Sequence, residues 1–178
     1  MDNHKNRLIL ETPLEHIITH KHKAEMIAYM GEHSDSFDEL LLLSLSNKQP
    51  YSWKAAQLLL NCMIDNDPFL RPYIGKIIDL LPVVGESQQR IFLMILQRME
   101  IDSEYEGRLF DICISFWKDL KVHPSLRGNA LWLLFKISKK YPELINEIRY
   151  LIDPQYTDSL PVGIKHSLGI KFNLLLKI

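Results

Sequence analysis

The sequence predicts an all-α protein built as a solenoid of stacked helix pairs. Three observations lead there. Apolar residues recur with helical rather than strand spacing. Two kinds of helix alternate along the chain. Basic residues early in the second kind, Lys54, Arg90, Arg127 and Lys165, recur every 36–38 residues. Helix pairs repeating at about 40 residues mark an α-solenoid, because one pair cannot cover its own apolar face and stacks on its neighbours.

The elements follow in order. "HKAEMIAYM" carries Lys23, which extends the basic column at a shorter spacing. "WKAAQLLLNCM" is apolar over much of its circumference and needs cover on several sides. "LRPYIGKIIDLL" places Leu70, Tyr73, Ile74, Ile77, Ile78 and Leu81 on one stripe. "RIFLMILQRM" is again apolar nearly all round. "LFDICISFWKDL" repeats the stripe at Leu109, Ile112, Cys113, Phe116, Trp117 and Leu120, and "LRGNALWLLFKI" is the next broad apolar helix. "ELINEIRYLID" carries a weaker stripe at Leu144, Ile145, Ile148, Leu151 and Ile152. Pro68 and Pro142 suit first helical turns, where a missing N–H costs nothing. The expected core includes Leu70, Ile74, Ile77, Leu109, Ile112, Phe116, Leu131, Leu134 and Ile148.

"QPYSWKAAQLLL" and "HPSLRGNALWLL" resemble the second helix of a HEAT repeat: a polar residue, proline, two residues, an apolar position, Arg or Lys, then an apolar run with small residues. "DPFLRPYIGKIIDLLP" resembles the first helix of the following repeat. "GESQQRIFLMIL" lacks the proline, and "LPVGIKHSLGIKF" is an atypical terminal unit with Gly163 and Gly169. The resemblance implies a right-handed, armadillo-type α-α superhelix forming one domain over 1–178. It implies a cap pair at 12–33 and helix-pair repeats at 35–63, 68–99, 105–140 and 142–176. It also implies that second helices line a concave face.

Two readings of the basic column stand side by side. In stacks of this kind such a residue commonly bonds backbone or an acid of a neighbouring repeat, which offsets the cost of a cation near a helix N-terminus. Alternatively Lys23, Lys54, Arg90, Arg127 and Lys165 form a positive stripe aimed at an anionic partner, flanked by Trp53 and Trp132. The resulting expectation is a non-catalytic interaction or scaffold module that binds another protein along the concave face. The alternatives are a DNA-binding protein like the HEAT-type alkylpurine glycosylases, for which no acidic catalytic residue can be matched, and an accessory subunit of a larger complex. No chromophore-binding signature points to the phycobilin lyases.

Composition sets bounds on these readings. The chain has 178 residues, 47% of them hydrophobic and 24% charged, with a net charge of -1. That argues against wholesale coating of nucleic acid. The polar N-terminal stretch lacks an export-signal core, and no apolar run is long enough to span a membrane. The only cysteines, Cys62 and Cys113, lie in apolar helices and suit packing and a reducing cytoplasm. Of the two, Cys62 is the better placed for reactivity. Asp65, Asp67, Asp79, Asp102 and Asp119 fall at helix ends and joints, where acids cap. His16 and His20 stand at i, i+4 with His22 nearby. Ile17 occupies the place where a zincin needs Glu, and no third ligand is evident, so neither metal nor cofactor is expected.

Overall fold

A computed structural model describes the backbone of residues 11–176 and the side chains of residues 11–170. Residues 1–10 and 177–178 of the expected single domain lie outside the described residues. Among the described residues there are eleven α-helices, three short 3-10 turns and no strand, so the all-α expectation holds. The chain divides into two compact units, Met1–Cys62 and Met63–Ile178.

In the first unit, α1 spans Pro13–His20. Thr12 caps it reciprocally: its hydroxyl accepts from the Glu15 N–H at 3.2 Å, while the Glu15 carboxylate accepts from the Thr12 N–H at 3.3 Å. Leu14 and Ile18 form its buried edge. The Glu15 carboxylate is itself buried and paired with Lys48 Nζ at 2.5 Å. Thr12 also donates to Glu39 Oε1 at 2.6 Å, tying the start of α1 to α3, Phe37–Ser44. Helix α2, Lys23–Glu32, buries only Met30. Helix α4, Tyr51–Cys62, packs on α1, α2 and α3. It buries Ala55, Ala56, Leu58, Leu59 and Leu60, the broad apolar surface that its sequence requires.

The second unit opens with a turn. Pro68 lies in this turn and not in the first helical turn expected for it. The reason is Asp67, whose carboxylate accepts from the N–H groups of Ile64 (3.2 Å) and Phe69 (3.0 Å) and so stabilises a non-helical bend. Asn66 adopts the left-handed region at φ 52°. Its N–H reaches the Arg98 carbonyl at 2.7 Å. Arg98 returns with bonds to Asp65 Oδ1 (2.6 Å) and the Met63 carbonyl (2.9 Å).

There follow α5 (Ile74–Leu80), α6 (Glu86–Gln97), α7 (Ser103–Lys118), α8 (Pro124–Ser138), α9 (Ile145–Leu151), α10 (Pro154–Thr157) and α11 (Val162–Leu176). Helix α8 packs on α6, α7, α9 and α11. That is why Leu126, Ala130, Leu131, Leu133, Leu134, Phe135 and Ile137 can all be buried around its circumference. Helix α5 packs on α7, and Gly75 permits it: a Cβ there would sit 2.9 Å from the Tyr105 ring.

The expected core is buried at Leu70, Ile74, Ile77, Leu109, Leu131, Leu134 and Ile148. Ile112 and Phe116 are only half-buried, and Leu120 is exposed. Helix α7 instead centres its inner face on Leu109, Phe110, Cys113 and Trp117. Trp117 fixes that rotation, because its indole N–H donates to the Leu151 carbonyl at 2.7 Å from a fully buried position. Phe116 is thereby carried to the edge.

Candidate functional site

In the second unit the second helices lie side by side, α8 between α6 and α11. Their first turns share a feature that accounts for two of the expected cations, Arg127 and Lys165. Arg127, the fourth residue of α8, is 1% exposed. Its Nε donates to the Trp117 carbonyl at 3.0 Å, near the end of α7. Its terminal nitrogens reach the Tyr156 carbonyl at 2.5 Å, in α10, and Ser159 Oγ at 3.3 Å. The guanidinium also lies 4.9 Å from the Trp117 ring centre. Burial pushes its pKa below the usual arginine value, and Asp119 partly counters that. The cation is unfavourable at its own helix N-terminus, but it points at the negative ends of two other helices.

The fourth residue of α6 is Gln89, not Arg90. Gln89 is buried and its amide donates to the Leu81 carbonyl at 2.8 Å, just past α5. The fourth residue of α11 is Lys165, whose Nζ donates to the Asp158 carbonyl at 2.8 Å, just past α10. Gln89, Arg127 and Lys165 are evenly spaced at 38 residues, and each donates to a carbonyl at a preceding helix end. Arg90 is displaced by one residue from this set. It is half-buried, with a nitrogen 3.9 Å from Met94 Sδ.

A second stripe faces outward on the same helices: Arg90, Met94 and Gln97 on α6, and Asn129, Trp132 and Lys136 on α8, all half-buried. Gln97 donates to the carbonyl and side chain of Asn129 at 3.1 and 2.9 Å, joining the two helices. Lys136 Nζ donates to the Gln97 and Met99 carbonyls at 2.9 and 2.5 Å, so it too serves a helix end. Helices α8 and α11 contain no Asp or Glu, and α6 contains only Glu86 at its start. The acids belong to the first helices, as Asp79 in α5, Glu104, Glu106 and Asp111 in α7, and Glu147 in α9. In the first unit α4 is likewise free of acids, with Trp53 and Lys54 half-buried, while Lys23 is exposed at the start of α2.

The remaining candidates divide clearly. Burial raises the thiol pKa of Cys62 and of Cys113, which keeps both protonated and argues against a nucleophile. Glu106 is a buried carboxylate that receives Lys140 Nζ at 2.5 Å and the Tyr141 hydroxyl at 2.7 Å, a tie between α7 and the end of α8. Glu11 joins His16 and His20 and supplies the third group that helical spacing does not reveal, since it precedes the helix that carries the histidines.

Stacked helix pairs whose second helices bond back to the ends of the first define an α-helical repeat protein. The chain belongs to the HEAT repeat domain family, which it matches over residues 10–173. No curated protein and no solved structure gives a significant match. Membership suggests an interaction or scaffold role. No helix among the described residues is long and apolar enough to cross a membrane.

Proposed function

We propose that this chain is a non-catalytic interaction module that binds an acidic segment of a partner protein on the outward stripe of α6 and α8. The observation that carries this reading is the charge segregation of the second unit: carboxylates lie on α5, α7 and α9, and they are missing from α8, α11 and all but the first residue of α6. An anionic peptide on this stripe meets Arg90 for charge and Met94 and Trp132 for apolar contact, without facing like charges from those helices. A protein is favoured over a nucleic acid because Arg127, Lys136 and Lys165 already donate to backbone carbonyls. On the outward stripe of α6 and α8 that leaves Arg90 as the cation for a phosphate backbone. The unpaired thiols fit a cytoplasmic setting.

The experiment is titration of the full chain with a fluorescent Glu-rich peptide and, in parallel, with a single-stranded oligonucleotide. The peptide should bind, and Arg90→Ala and Trp132→Ala should each weaken it by about five- to tenfold, on the order of 1–1.4 kcal/mol. Oligonucleotide binding that is tighter than peptide binding and falls steeply with salt would transfer the proposal to a nucleic-acid partner. Binding of neither would end it.

A further inference from the structure

Glu11, His16 and His20 form a cluster on the solvent side of the first unit. The two histidines are one turn apart on α1, and their rings stack with centroids 4.3 Å apart and planes inclined by 19°. Glu11 lies just before Thr12, the helix cap, with Oε2 3.6 Å from His16 Nδ1. One ligand atom from each of the three lies within 4.8 Å of the other two.

Neighbouring groups hold this arrangement. The Tyr51 hydroxyl donates to Glu11 Oε1 and so fastens the carboxylate to α4. That bond is the main reason the Glu11 pKa lies below the usual carboxylate value, with smaller contributions from His20 and His16. His20 Nδ1 lies 3.1 Å from the His16 carbonyl and 2.8 Å from Thr19 Oγ1. With a proton on Nδ1 directed at the carbonyl, Nε2 carries the lone pair. A metal-ligating histidine is oriented in the same way, by a backbone carbonyl on its far nitrogen, and a ligating carboxylate by a hydrogen bond to its other oxygen.

We infer that Glu11, His16 and His20 bind a divalent transition-metal ion, with Zn2+ the best match to their chemistry. Two imidazoles and one carboxylate suit a borderline ion, whereas Ca2+ and Mg2+ call for shells of oxygen. Tetrahedral bonds of about 2.0–2.2 Å place ligand atoms roughly 3.3–3.6 Å apart. All three side chains are exposed, so small adjustments that keep the Tyr51 and His16-carbonyl hydrogen bonds suffice to close that gap. Three protein ligands leave a fourth position for water or for a group from a partner.

The test is calorimetric titration of ZnCl2 into the chelator-stripped full chain, with the variants His16→Gln and His20→Gln and, as a control distant in sequence, His123→Gln. The expected result is one Zn2+ per chain, affinity lowered more than tenfold by each of the first two substitutions, and affinity unchanged in the control. Circular dichroism of the variants should overlay the parent, because the substituted side chains are exposed. Absence of saturable uptake, or a loss smaller than tenfold in either α1 variant, overturns the inference and leaves an exposed hydrogen-bonded cluster.

Discussion

The first turns of α8 and α6 stand in successive repeats at the same place, and they differ in one residue type. In α8 the fourth position is Arg127, which spans the Trp117 carbonyl, the Tyr156 carbonyl and Ser159 Oγ. In α6 it is Gln89, a neutral amide that reaches only the Leu81 carbonyl. What the repeat needs here is a long donor directed at the unsatisfied carbonyls of a preceding helix end. Charge is one way to strengthen that bond, and in α8 the guanidinium's several donors join the ends of two helices at once. In α6, where one carbonyl is served, an amide suffices, and the cation beside it turns to the outward stripe.

Removing the donor should separate the two turns by stability. The larger effect falls on Arg127→Ala, which strips hydrogen bonds from buried carbonyls and empties the space over the Trp117 ring. A loss of about 3 kcal/mol is expected in a urea melt. Arg127→Gln reproduces the α6 solution and should recover about 1 kcal/mol of that loss, since one donor can still reach the Trp117 carbonyl. A glutamine variant no better than alanine would break the equivalence of the two turns.

Gln89→Ala should be milder, about 1–2 kcal/mol, because one carbonyl loses its partner and no charge is involved. A melt showing a loss equal to that of Arg127→Ala would mean that the amide carries more of the joint than one hydrogen bond.

The same pair of turns shows what the sequence discloses. Helix type and repeat period are legible because both arise from burial of one face per helix, and burial writes itself into apolar spacing. The identity of the inward donor is harder to read. Aligning cations puts Arg90 in the column, since an amide does not stand out among surface polar residues. Counting from the helix start instead gives Gln89 and Arg127, both buried, with the exposed Lys165 at the same place in α11. That count requires knowing that α6 begins at Glu86 after the cap Gly85, with no proline to mark the place. The edge of the α7 stripe was illegible for another reason. Ile112 and Phe116 have the right spacing, but the Trp117 hydrogen bond to α9 sets the rotation of the helix. Glu11 escaped because it lies outside the helix whose periodicity organises its neighbours.

The smallest stability effect is the one that bears most on function. Arg90→Ala removes a cation one position beyond the inward donor, from a half-buried site beside the Met94 thioether sulfur. Its aliphatic stem covers some apolar surface, so the change is not wholly silent. Even so, a shift within about 0.5 kcal/mol is expected, as for surface substitutions that leave no buried group unpaired. The comparison is sharpest when stability and binding are read on the same variants. Arg90→Ala should keep the melting curve of the parent and weaken the acidic peptide. Gln89→Ala should lower the curve while its folded fraction binds that peptide normally. The reverse pattern, with Gln89→Ala impairing binding and Arg90→Ala destabilising the fold, would exchange the roles of these adjacent residues. It would also remove the outward stripe as the site of recognition.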